Sequence, residues 1–360
     1  MNEPIMKKRI TRNYGIDLLK IIGMINIINL HINNQMNVYK ISHKSLTFLP
    51  IFRLRAFSFW PVNAFGLISG IVGYKKFKFI NMIYLWFIYF FYSIFFSIIL
   101  YYKSSIGLND FIFSFFPLGI RRNWYVNAYI FMYYFLPFIT HSINSINKNL
   151  YSKIVLQFIF IYSIYYTTIK SYIRNTNFTF VNDGYSSLWL FILYIVGAYL
   201  GRFYIHKYII SNILYLFIYL ICSLITSEYI FYSIRKYNFK NLIFLSYTSP
   251  TIIIQALSLI FFFSNIKINN KYLIKLISFL YPLNFSVNII HTRFFFAHIQ
   301  SSVAFTKFVK SLSHKNLFFK IYGISIVIYF ICTFIDYLRS LLFKIFRIRN
   351  ICCYVEKILF

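Results

Sequence analysis

Residues 15–32, "GIDLLKIIGMINIINLHI", have the length and apolar content of a membrane-crossing helix, because ~20 residues rising ~1.5 Å each cover the hydrocarbon core of a bilayer. Three of them do not suit that setting: Asp17, Lys20 and His31. An ionisable side chain at bilayer depth is costly, and those that occur face a protein interior or a wet cavity. On a helix Lys20 and His31 are separated by three turns plus about 20°, so they share a face and lie ~16 Å apart along the axis. Asp17 sits one turn before Lys20, near the same face. The stripe therefore joins an acid–base pair near one end of the span to an imidazole towards the other.

The rest of the chain repeats the apolar theme. Of 360 residues 59% are hydrophobic, 23% aromatic and only 12% charged, against ~25% charged in a soluble domain. Apolar runs of spanning length predict an all-α, polytopic transmembrane helical bundle of about ten spans. They fall near 16–33, 56–74, 80–101, 124–141, 153–169, 186–204, 209–227, 241–263, 273–291 and 318–338, within one domain covering residues 1–360. The connector "AHIQSSVAFTKFVKSLSHKN" is partly apolar and reads as a short surface helix. An even count puts both termini on one side. The clusters Lys7-Lys8-Arg9-Arg12, Lys75-Lys76-Lys78 and Arg339 to Arg349 assign that side to the cytoplasm. The basic N-terminal flank reads as part of a signal anchor without a cleavage site.

A formal charge of +30 would point to nucleic acid in a soluble protein. Here the basic residues occupy short loops between spans, so they fit anionic membrane lipids and leave room for an anionic substrate; no nucleic-acid partner is expected. Cys222, Cys332, Cys352 and Cys353 form no C-x-x-C framework, and no metal-ligand spacing occurs, so no metal is expected. The inverted halves of many transporters are not evident.

Each ionisable residue admits two readings. Asp17 and Lys20 form either an ion pair snorkelling to the interface or a group that meets a substrate. His31 is either hydrogen-bonded to a neighbouring helix or a general base, since neutral imidazole with a reference pKa of ~6.5 can take a proton from a hydroxyl.

The motif of a basic residue, ten intervening residues and a histidine in the first span, "RNYGIDLLKIIGMINIINLH", resembles the hallmark of the integral-membrane acyltransferase family three. Further segments resemble that family in order: "PVNAFGLISGIVGYKKFKF", "NWYVNAYIFMYYFLPFI", "YIVGAYLGRF", "SYTSPTIII" and "NFSVNIIHTR". The pattern is most similar to bacterial surface- and capsular-polysaccharide O-acetyltransferases and extends over nearly the whole chain. Two positions depart from it: Asn288 stands where tyrosine is common, and Ile71 where an aromatic usually follows the Ser-Gly pair.

The resemblance implies a multi-pass enzyme of the bacterial plasma membrane. It would take acetyl-CoA from the cytoplasm and acetylate a sugar hydroxyl of a cell-surface or capsular polysaccharide, or of its lipid-linked precursor. In that reading His31 is the general base, or the carrier of an acetyl intermediate. Lys20, held by Asp17, serves the donor, and His291 orients or relays. Lys75, Lys76 and Lys78 suit the phosphates of CoA as point charges, with a positive-inside topology signal as the other reading. Ser69 and Gly70 allow close backbone approach and a local helix break lining a cavity, or simply small-residue packing. Trp124 and Tyr129 offer a sugar-stacking platform, with Arg121 and Arg122 beside it for an acidic glycan; an interfacial aromatic belt is the other reading. The rival function is a polysaccharide flippase, exporter or polymerase without acyl transfer, which accounts for the composition but not for the Lys–His spacing.

Overall fold

The computed structural model describes residues 12–35, 48–75, 77–118, 123–172, 180–205, 211–237, 243–292 and 316–359. Among the described residues the regular structure is all helical. Helix α1 is Tyr14–Gln35, followed by α2 (Phe48–Ser58) and α3 (Pro61–Gly73), α4 (Phe79–Tyr102), the short α5 (Leu108–Phe113) and α6 (Trp124–Ser145). Helix α7 (Lys148–Ile159) runs through a π-helical stretch, Phe160–Tyr165, into α8 (Tyr166–Tyr172). Next come α9 (Ser187–Phe203), α10 (Asn212–Tyr237) and α11 (Pro250–Ser264). Helices α12 (Lys271–Leu280) and α13 (Asn284–Ile290) are joined by a tight turn at Tyr281–Leu283, and α14 (Leu317–Ile345) and α15 (Ile348–Leu359) close the chain.

Among the described residues seven segments are long and apolar enough to cross a membrane: Tyr14–Asn34, Leu49–Gly73, Phe79–Tyr102, Lys148–Lys170, Asn212–Ser233, Lys271–Ile290 and Leu317–Ile345. The expected count was about ten, and the difference lies in three helices. Helices α9 and α11 are apolar but only 17 and 15 residues long. Helix α6 has 22 residues but is diluted by Asn127, Thr140, His141 and Asn144. The expected span at 241–263 is shortened because residues 243–249 form turns and Pro250 opens the helix; its missing N–H costs nothing at the first helical position. The same chemistry divides Leu49–Gly73: α2 stops at Ser58 and Pro61 starts α3, giving a break at Phe59–Trp60 rather than at Ser69–Gly70. Large apolar side chains remain exposed on the bundle surface, among them Ile98, Phe131, Phe138, Phe330 and Phe334. A soluble protein rarely tolerates such patches; lipid tails solvate them, and the chain is membrane-embedded.

Lipid gives no hydrophobic drive for helices to associate, so close backbone packing and polar bridges must hold the bundle. Helices α3 and α9 pack through two matching Gly-x-x-x-Gly stretches, Gly66–Gly70 and Gly197–Gly201. A Cβ on Gly70 would sit 2.0 Å from the Tyr194 carbonyl oxygen, and one on Gly197 would sit 2.0 Å from that of Leu67. Helix α1 lies at the centre, touching α2, α3, α11, α12, α13 and α14. One face of it carries Asn26, Asn29 and Asn33. Asn29 donates to Ser58 on α2 at 2.8 Å, and Tyr322 on α14 donates to Asn26 at 2.5 Å. A second polar knot ties α14 to α4. Arg339 grips Asp336 through two bonds of 2.8 and 2.9 Å, and Tyr92 donates to the same carboxylate at 2.8 Å. Both charges are buried.

Candidate functional site

The other face of α1 is turned towards the α12–α13 segment, and its ionisable residues meet partners there at both ends. Asn13 accepts from the Ile16 N–H at 3.1 Å and so caps the start of α1. One turn on, buried Asp17 receives the Arg12 guanidinium at 2.6 Å and the Lys20 ammonium at 3.8 Å. Lys20 also stands 4.5 Å from the centroid of the Tyr281 ring, and Arg12 lies 5.1 Å from the same ring. An ammonium over an aromatic face is attracted by the ring quadrupole. Asp17 and Lys20 thus do pair, but the shorter contact to the carboxylate belongs to Arg12, which the sequence reading had assigned only to the topology signal.

At the far end of the same face, His31 Nδ1 lies 3.0 Å from His291 Nε2, with ring centroids 5.0 Å apart. His291 is fully buried, and its Nδ1 lies 2.6 Å from the Val287 carbonyl oxygen. A carbonyl only accepts, so His291 Nδ1 carries a proton. In the neutral ring Nε2 is then an acceptor, and His31 Nδ1–H donates to it. That tautomer leaves the lone pair of His31 on Nε2. The two histidines are 260 residues apart in sequence, and the helix of residues 284–290 delivers one to the other.

A buried arginine adds to this end. Arg55 on α2 is 7% exposed and donates to Asn34, one turn beyond His31 on α1. The sequence reading began the second span at residue 56 and so left Arg55 outside the membrane. The structural span begins at Leu49 and encloses it, which makes it an ionisable residue at depth.

The predicted site residues distribute as follows. Ser69 and Gly70 lie within an unbroken helix. Gly70 is packed on the α9 backbone, while Ser69 Oγ donates to the Phe65 carbonyl at 2.8 Å and stands 3.4 Å from the Tyr129 hydroxyl. The expected helix break is absent there; close backbone approach is present, directed at α9. Tyr129 is therefore an interior residue, in a row with Tyr125 and Tyr133 at centroid spacings of 6.0 Å. Trp124 meets the end of that row at Tyr125 (5.7 Å) and joins it to a second aromatic cluster with Tyr185 (4.7 Å) and Tyr247 (6.1 Å). Lys75 and Lys78 are exposed beyond the other end of α3. Lys76, Arg121 and Arg122, like the connector after Arg293, lie outside the described residues.

Beside Trp124 a cavity of about 770 Å³ opens between α6 and the 182–187 turn, lined by Asn127, Phe131, Tyr134, Asn182 and Tyr185 among others. Asn182 and Asp183 adopt left-handed φ of 45° and 56°, and Gly184 has φ of 90°. A Cβ on Gly184 would meet the Tyr247 side chain at 2.4 Å, so only glycine fits that position. The Asp183 carbonyl accepts from the Tyr247 N–H and the Ser246 hydroxyl, both at 3.1 Å, and its carboxylate pairs with Lys170. Asn123, the residue before Trp124, donates from its side chain to Thr292, next to His291, at 3.2 Å. Among the described residues no group of three His, Cys, Asp or Glu is placed to hold a metal ion.

Comparison with known proteins returns no match: no family model, no curated protein and no solved structure is similar to this chain.

Proposed function

We propose that the protein is a membrane O-acetyltransferase that moves the acetyl group of acetyl-CoA to a sugar hydroxyl of a surface or capsular glycan or its lipid-linked precursor. The observation that carries the reading is the His31–His291 pair. A polarised imidazole with its Nε2 lone pair defined is what general-base chemistry requires, and here it closes a stripe that begins with a cation. In this mechanism His31 Nε2 takes the proton of the acceptor hydroxyl as the oxygen attacks the thioester carbonyl. The carbon–sulfur bond then breaks, and the proton passes from His31 to the departing CoA sulfur, giving ester and thiol. His291 accepts from His31 Nδ1–H throughout and stabilises the transient imidazolium. The Arg55 charge at this end suits the oxyanion that develops on the carbonyl.

Lys20 lies ~16 Å and Asp17 ~21 Å from His31 along α1, too far to touch the reacting atoms. They serve the donor, whose extended pantetheine arm covers such a distance. Lys75, Lys76 and Lys78 hold its phosphates on the side that the basic clusters assign to the cytoplasm, where both termini also lie. The Trp124–Tyr185 rim and its cavity, linked to His291 through Asn123 and Thr292, receive the sugar. The test is labelled acetyl-CoA with purified protein and acceptor glycan. His31→Ala lowers transfer about 10²- to 10⁴-fold, and Lys75→Ala/Lys76→Ala/Lys78→Ala weakens CoA binding; full transfer by the His31 variant refutes the mechanism.

A further inference from the structure

The last helix has no part in the site above, and its surfaces do not match one another. Helix α14 ends at Ile345, and Arg347, with φ of 49°, turns the chain sharply into α15. Helix α15 then lies across the start of α4: Glu356 accepts from the Ile80 N–H at 2.9 Å, and Cys352 is buried. Since α4 and α14 are both of spanning length, the place where one begins and the other ends is a membrane boundary.

Only one flank of α15 meets the protein. On a second flank Ile351, Tyr354 and Ile358 recur at i, i+3 and i+7, which puts them on one side of a helix, and all three are exposed. Next to them stand exposed Leu338, Leu342 and Ile345 at the end of α14, so the apolar surface of the crossing helix continues onto α15. The third flank is basic. Arg349 and Lys357 are exposed on it, with Lys344 and Arg347 exposed in the approach, and the one acid of the helix, Glu356, is turned to the α4 backbone. A helix with an apolar side, a cationic side and a position at the boundary has the form of those that lie in the interface plane of a bilayer.

We propose that α15 rests in the head-group layer of the leaflet at the Lys20 end of the bundle and binds anionic phospholipid there. Ile351, Tyr354 and Ile358 enter the acyl boundary while Arg347, Arg349 and Lys357 meet lipid phosphates. The choice of an anionic leaflet over a second copy of the chain rests on charge: four basic residues between 344 and 357 would face the same four across a symmetric contact, whereas lipid phosphates neutralise them.

The experiment is hydrogen–deuterium exchange of the full-length protein in nanodiscs of phosphatidylcholine alone or mixed with phosphatidylglycerol. Amides of 348–359 exchange more slowly in the anionic discs. Each basic residue near a charged surface contributes about fivefold, so Arg349→Gln/Lys357→Gln loses about thirtyfold of that protection while its exchange in the neutral discs is unchanged. Ile351→Ser/Ile358→Ser speeds exchange in both discs. Equal protection in the two discs overturns the proposal, as does anionic protection that survives the Gln variant. Protection that follows discs holding two copies rather than lipid composition assigns the surface to self-association and also overturns it.

Discussion

Replacing His291 separates a positioning role from a structural one. His291→Ala removes the acceptor of the 3.0 Å bond from His31 and the side-chain donor to the Val287 carbonyl, which keeps the backbone N–H of residue 291. His31 then loses the acceptor that orients its ring and offsets the charge it acquires during reaction. A hydrogen bond to a charged group contributes about 1.5–3 kcal/mol, which corresponds to a fall of about 10- to 150-fold in kcat. The KM for acetyl-CoA stays unchanged, because the proposed mechanism puts the donor contacts at the other end of α1. His291→Gln presents a carbonyl oxygen to His31 and an amide N–H to Val287, and so recovers most of the loss. Initial rates of labelled acetyl transfer read all three proteins. His31→Ala loses about 10²- to 10⁴-fold, and adding His291→Ala to it costs nothing more, since the two residues act as one unit. An Ala variant at the native rate, or a Gln variant no better than Ala, refutes the relay.

Other expectations concern the scaffold. Asp336→Leu or Arg339→Met alone strands a buried charge, at about 3–5 kcal/mol, whereas the double variant regains most of the loss; thermal midpoints in detergent of the three proteins check the order. Gly197→Ala drives a methyl against the Leu67 carbonyl and lowers the midpoint by the equivalent of about 1–3 kcal/mol, while Gly323→Ala, with nothing within 4 Å, does not. Maleimide followed by mass spectrometry modifies exposed Cys353 first. Cys222, Cys332 and Cys352 are buried, and burial, with Cys353 beside it, pushes the Cys352 thiol up to about 11, so little reactive thiolate forms below that pH.

Much of the bundle could be read in the chain because a bilayer demands apolar runs of fixed length. Those runs are visible for α1, α4, α10 and α14. Among the described residues seven of the ten expected spans have both the length and the apolarity for crossing, because the two part company in the others. Helices α9 and α11 are apolar but short, and in "SYTSPTIII" the Ser-Pro pair, a helix start signal, was outweighed by the surrounding Ile and Leu. The face shared by Lys20 and His31 follows from helical periodicity alone, and both residues do meet the α12–α13 segment. What they meet there was not legible. His291 was singled out by resemblance to a motif, but its contact with His31 depends on α13 packing against α1. Arg12 and Arg55 were missed because a basic residue at the end of an apolar run reads as a topology signal until neighbouring helices are seen to cover it. The pairing of Gly66 and Gly70 with Gly197 and Gly201 likewise needs two segments far apart in sequence to be matched face to face.

The central claim is that His31 is the base of an acetyl transfer to a surface glycan. It is tested most directly by the NMR spectrum of that glycan from cells carrying the native gene, a deletion, or the deletion complemented with His31→Ala. The account predicts that O-acetyl signals vanish in the deletion and in the His31→Ala strain while glycan amount and chain length hold. Native acetylation in the His31→Ala strain contradicts it, and lost export with acetylation intact on the residual glycan assigns the chain to transport instead.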